Sequence, residues 1–209
     1  MLFDEKFERD VDPAKQSQDI TPLLSVEHGA KGMTAFLSDR AGASYEHGLY
    51  RIHAIADMSR WTKLAVEAFP DLSGRVFCFG FDWLGRMFAL DYKRKTNGQF
   101  LVLMLEPGTG QALEIPVAFM DFHNEELVEY KNEALSAEFY DEWQALGGSS
   151  PTFEQCIGYK KPLFLNGMDT TENLETIEME VYWSIAAQLL SKVRGLPEGT
   201  PLGNIRISD

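Results

Sequence analysis

Asp82 and Asp91, set in the stretch FCFGFDWLGRMFALDY (77 to 92), are of the right type for paired general acid–base work. Two carboxylates cooperate only when they converge on one bond, and the extended chain between these two, at roughly 3.3 Å per residue, holds them apart. His28, His47, His53 and His123 have the chemistry of a metal ligand or general base. They are scattered, none has a ligating partner at helical spacing, and a surface or turn position is expected for each. Cys156 precedes the Lys160–Lys161 pair, and neighbouring cations lower a thiol pKa. No base stands ready to orient it, so a buried thiol and solvated loop lysines are expected. The sequence contains no G-x-S-x-G elbow, no phosphate loop, no H-E-x-x-H and no dinucleotide fingerprint after a strand. These residues predict no catalytic centre, no cofactor and no metal site.

Asp-Trp-Leu-Gly-Arg at 82 to 86 reads instead as a hairpin connection. Gly85 supplies a left-handed position, Asp82 bonds the turn and pairs with Arg86, and Trp83 and Leu84 fold over the core edge. The flanking runs at about 75 to 81 and 86 to 92, with those at 99 to 106 and 112 to 119, are separated by DWLG, KTNG and GTG. Links this short join antiparallel neighbours, which predicts a four-stranded meander. QFLVLMLE (99 to 106) is apolar at both parities, as in a strand covered on both faces, and Pro116 puts the last strand at an edge.

Helices are expected on either side of this meander. One lies around 31 to 40, and LYRIHAI (49 to 55) reads as a short strand. A second helix starts at Asp57, runs with Trp61, Leu64, Ala65, Ala68 and Phe69 inward, and stops at Pro70. After Asn124 the period predicts one long helix with Val128, Leu135, Phe139, Trp143 and Leu146 inward, Glu125, Glu126, Glu129, Glu133, Glu138 and Glu142 outward, and Gly147–Gly148 as its stop. CIGYKKPLFLNG (156 to 167) reads as extended. A last helix over about 178 to 194 buries Val181, Tyr182, Ile185, Ala186, Leu189 and Val193. Trp183 falls off that stripe, against a loop or exposed where a partner would cover it. Residues 4 to 19 read as an arm or frayed helix, and 195 to 209 as a loop-like tail. The fold class is therefore α+β: an antiparallel meander of about four to six strands packed with helices, two of them long and in the carboxyl-terminal half.

The 209 residues suffice for a core without staples, and two cysteines are too few for a disulfide framework. The net charge of −13 repels phosphate backbones, so direct nucleic-acid binding is not expected. The imbalance is concentrated: residues 121 to 209 hold 16 acids against 6 bases, so a basic partner would be drawn to that half. MLFDEKFERD lacks a basic start and a long apolar run, and no stretch has the length of a membrane span, which predicts a cytoplasmic chain with no membrane partner.

FGFDWLGRMFALD (79 to 91), VLMLEPGTG (102 to 110), ALEIPVAFMDFHNEELVEY (112 to 130), CIGYKKPLFLNGMDTTENLE (156 to 175) and MEVYW (179 to 183) together resemble the carboxyl-terminal domain of bacterial type VI secretion immunity proteins, antidotes to secreted DNase toxins similar to the wider SUKH-type immunity superfamily. The resemblance spans about 49 to 209. It implies an immunity-type α+β domain there, preceded by a short amino-terminal segment over 1 to 48, a reduced GAD-like region forming one unit with it. It also implies an inhibitor, not an enzyme, whose partner is a cognate toxin. The partner-binding residues expected are Glu125, Glu126, Glu129, Glu133, Asp169, Glu172, Glu175 and Glu178, with Trp183. The alternatives are a hydrolase or transferase with an unrecognised site, and an adaptor that binds an effector without neutralising it.

Overall fold

Short glycine-bearing links leave a strand no choice but to pair with its predecessor. The computed structural model, which describes residues 1–11 and 19–195, places the four expected strands side by side as β4 (Val76–Asp82), β5 (Met87–Thr96), β6 (Gln99–Glu106) and β7 (Gln111–Ala118). Before them come α1 (Leu2–Lys6), β1 (Arg9–Val11), α2 (Thr21–Leu24), α3 (Met33–Arg40), β2 (Ser44–Tyr45), β3 (Tyr50–Ile52) and α4 (Met58–Ala68). The first three strands extend the meander to a seven-stranded antiparallel sheet in simple chain order, with β7 at one edge as Pro116 requires. The fold is α+β. Arg9–Val11 is strand where an arm or frayed helix is expected, because it finds a partner in β2. Residues 12–18 of the predicted arm, and the tail beyond 195, lie outside the described residues.

The sheet is covered on both faces. Phe77, Phe79, Phe88, Leu90, Val102 and Met104 point to a core shared with α1, α3 and the segment after β7. Cys78, Phe81, Met87, Ala89, Leu103 and Leu105 point the other way, to Trp61 and Ala65 of α4 and to a carboxyl-terminal helix. Phe79 and Phe81 lie on opposite faces although two residues apart, because the register between β4 and β5 shifts between Cys78 and Gly80. The α4 stripe is as expected, with Trp61, Ala65 and Ala68 buried; the Asp57 side chain makes no cap bond and sits 3.8 Å from Arg60 instead.

The expected long helix after Asn124 is broken. It consists of α5 (Phe119–Asp121), a π-helical turn over Phe122–Glu126, α6 (Leu127–Glu129), α7 (Lys131–Leu135) and α8 (Ala137–Ala145). The backbone leaves the helical region at Tyr130 (φ −120°, ψ 41°) and turns left-handed at Ser136 (φ 52°, ψ 47°). Leu146 is consequently exposed, and Tyr140 takes the buried place on α8. Next come β8 (Gln155–Tyr159) and β9 (Leu174–Glu178), an antiparallel pair of which only the first is evident in the sequence. The chain then enters α9 (Met179–Val193), where the stripe is rotated from the expected one. Val181 is exposed and Trp183 wholly buried, packed near Phe69 with its Nε1–H donated to the Gly85 carbonyl at 2.8 Å.

Two histidines expected at the surface are buried, His53 and His123. His123 donates from Nδ1 to the Phe119 carbonyl at 2.8 Å, which leaves Nε2 to accept from the Tyr50 hydroxyl at 2.9 Å. Both ring nitrogens are satisfied by a neutral imidazole. Burial pushes His123 from 6.5 down to about 3, so the unfolded chain binds a proton between those values that the fold does not. Stability is therefore whole above the unfolded value and declines as the pH falls below it. Urea unfolding at about pH 7.5 and pH 5 should show a loss of about 2 kcal/mol assignable to this ring, absent from the pH dependence of His123→Gln.

Candidate functional site

The turn at 82–86 decides where the polar side chains go. Gly85 has φ 76°, and a Cβ there would lie 2.9 Å from the Cys156 sulfur. The Asp82 carboxylate accepts from the Arg86 backbone N–H at 2.9 Å and from its Nε at 2.5 Å, both groups buried. Burial holds the Asp82 carboxyl above its usual value, with Arg86 pulling against it. Arg86 also donates to the Ala134 carbonyl at 3.1 Å, and the Trp83 Nε1–H to the Leu135 carbonyl at 2.8 Å. Asp91, midway along β5, is held by Arg75 at 2.5 to 2.7 Å, so the two acids have separate structural partners and do not converge.

Above this turn lies a cleft of about 590 Å³ between α7–α8, the β6–β7 turn and the loop after β8. Leu84, Phe139 and Leu163 contribute apolar floor, and Glu106, Glu133, Glu138, Glu142 and Asp169 line it with five carboxylates. Arg86 is the one cation of the lining among the described residues, and it is already bound to Asp82. Tyr159 donates its hydroxyl to Asp169 at 2.6 Å, fixing that carboxylate at the wall. Burial pushes the Glu106 carboxyl up, with Arg86 acting against it, so this acid sits deepest in character as well as place. The cleft exists because the backbone reverses at Ser136: a continuous helix would carry Glu138 and Glu142 away from Glu106 and Asp169.

The expected partner-binding residues divide. Glu133 and Asp169 line the cleft. Glu126 stands beside Glu133, and burial together with that neighbouring charge raises its carboxyl. Glu125 and Glu129 are exposed on the π-helical turn and α6. Glu172, Glu175 and Glu178 are exposed along β9 and the turn before it; Glu178 accepts from Gln155 at 3.1 Å, and a hydrogen bond from Thr170 lowers the Glu172 carboxyl. Trp183 is no part of any surface. Sequence reasoning missed Glu106, whose signal is an acid closing an otherwise apolar strand just ahead of Pro107. It placed Glu138 and Glu142 on the outward face but not in the binding set.

The two thiols are inert by placement: burial pushes Cys78 up to about 12 and Cys156 upward as well. Among the described residues no group of three or more His, Cys, Asp or Glu side chains is arranged to hold a metal ion, and no helix is long and apolar enough to cross a membrane. No protein-family model and no curated protein matches the chain. Among solved structures, the crystal structure of Atu4351 from Agrobacterium tumefaciens is similar with a TM-score of 0.57 at 10% identity, over 86% of this chain and 85% of that one. The likeness shows a shared fold.

Breaking the buried pair tests how far the cleft floor rests on it. Arg86→Met strands the Asp82 carboxylate and should cost about 3–5 kcal/mol in urea unfolding. Adding Asp82→Asn, which removes the charge and keeps an acceptor for the Arg86 backbone N–H, should restore roughly half of that or more.

Proposed function

We propose that this chain is an immunity protein: it binds a basic cognate toxin of the type VI secreted class, a DNase, and covers its active or DNA-binding surface without performing a reaction of its own. The observation that carries this reading is the cleft with five carboxylates and a single, already paired cation. An enzyme that grips DNA presents Lys and Arg to the phosphates, and a preformed set of carboxylates competes for those same side chains. The excess of acids over bases in residues 121 to 209 adds long-range attraction, which raises the rate of encounter more than it tightens the final contact. The carboxylates of α8 and the turn rest on a buried scaffold, so little ordering is needed at binding. On this reading the protein acts in the cytoplasm of the cell that it protects.

Co-expression with the product of the adjacent open reading frame, scored for survival and co-purification, tests the reading. Reversal of Glu133, Glu138, Glu142 and Asp169 to Lys should slow association by about tenfold or more at low salt and abolish protection at low expression. The same number of reversals at Glu125, Glu129, Glu172 and Glu175 should have a smaller effect. A cleft variant that protects as well as the native chain overturns the assignment of the cleft.

A further inference from the structure

His53 differs from His123 in one respect: neither ring nitrogen has a hydrogen-bond partner, although the side chain is wholly buried. The ring is held by stacking alone. It lies 4.6 Å from the Phe81 ring of β4 at 19° and 5.2 Å from the Trp61 ring of α4 at 16°. Trp61 and Phe81 are themselves 6.4 Å apart at 27°, so the three rings form a cluster, and each outer ring carries a guanidinium, Arg51 4.3 Å from the Phe81 centroid and Arg60 4.6 Å from that of Trp61. Arg51 comes from β3 and is anchored by the carbonyls of Asp82, Thr152 and Gln155; Arg60 comes from α4 and is paired with Glu180 at 2.8 Å on its exposed side. The aromatic neighbours are uncharged, and the charged groups that bear on the ring are these two cations.

We infer that His53 is a proton-sensitive latch: neutral, it binds α4 to the sheet through the Trp61–His53–Phe81 stack, and protonated between Arg51 and Arg60 it releases that helix. The neutral imidazole leaves one N–H donor and one acceptor nitrogen unpaired. An imidazolium at the same place would be a third positive charge with two N–H donors and no acceptor for either, so protonation requires the ring to reach water. Reaching water means breaking the contact of His53 with Trp61, and Trp61 is a buried anchor of α4. Burial and the two arginines also hold His53 well below 6.5, in agreement with the geometry. The Asp57 carboxylate, 3.8 Å from Arg60, and that of Glu180 both engage Arg60 and not the ring.

Amide hydrogen exchange of the full chain, corrected for the intrinsic pH dependence of exchange, tests this. In the native protein the opening of residues 58–68 should increase by about 30-fold between pH 7.5 and pH 5, the factor for a group that protonates only when open and has an ordinary value of 6.5. The amides of β5 and β6, which exchange only on global unfolding, should open far less often than those of 58–68 at both pH values. His53→Phe, and independently His53→Gln, should leave the exchange of this helix nearly pH-independent. Corrected exchange of 58–68 that is flat with pH in the native chain, or a 30-fold rise retained in a folded His53 variant, overturns the latch. Opening of 58–68 that equals that of β5 and β6 at both pH values also overturns it, because it reports global unfolding instead of release of one helix.

Discussion

A turn buried inside a protein has polar backbone that must find partners without water, and the turn at Asp82–Arg86 meets this demand by drawing on four other elements. The Trp83 N–H donates to the Leu49 carbonyl, and the Trp83 carbonyl accepts from the Ile157 N–H of β8 at 2.7 Å. The Gly85 carbonyl accepts from the Trp183 indole of α9, and the Trp83 indole donates to the end of α7. A hairpin connection that would ordinarily project into solvent is thus the point where the sheet, the β8–β9 pair and the carboxyl-terminal helices are tied together. Arg51 reinforces it from β3, charged and enclosed, with the Asp82 carbonyl among its three acceptors. A net hydrogen bond contributes only about 1 kcal/mol, but leaving one of these buried groups unpaired costs more, so the elements hold one another in register.

The cleft follows from the same turn. The last carbonyls of a helix need acceptor-seeking groups, and for α7 these are the Arg86 guanidinium at Ala134 and the Trp83 indole at Leu135. With its end satisfied by side chains of the sheet, the helix stops and the chain turns left-handed at Ser136. Glu138 and Glu142, one turn apart on α8, then face Glu106 and Asp169 across the gap. An electrostatic surface is here the by-product of a polar satisfaction problem in the core. The proposed binding role uses carboxylates whose positions are settled by groups, Trp83 and Arg86, that carry no such role themselves.

The two buried histidines show how little a residue type says without its surroundings. His123 has a donor and an acceptor of opposite kinds aligned on its two nitrogens, and a neutral tautomer fits them both. His53 packs against two near-parallel rings and has no hydrogen-bond partner on either nitrogen. Neither could be told from the exposed His28 and His47 by spacing, because the groups that surround each ring come from segments far apart in the chain.

Patterns carried by near neighbours were readable directly: the meander with its glycine turns, the edge position of Pro116, the α4 stripe, the Asp82–Arg86 pairing and the acidic excess of the second half. Each depends on alternation, on turn chemistry or on a sum over residues, and none needs to know what lies across the core. The breaks at Tyr130 and Ser136, the burial of Trp183 and the grouping of Glu106 with Asp169 were decided by the tertiary structure. A helical period runs unbroken through 125 to 146 in the sequence, and at Ser136 the Trp83 indole and the Arg86 guanidinium occupy α7 carbonyls that a continuing helix would need. Trp183 is likewise drawn inward by a carbonyl 98 residues away, a partner that no local period encodes.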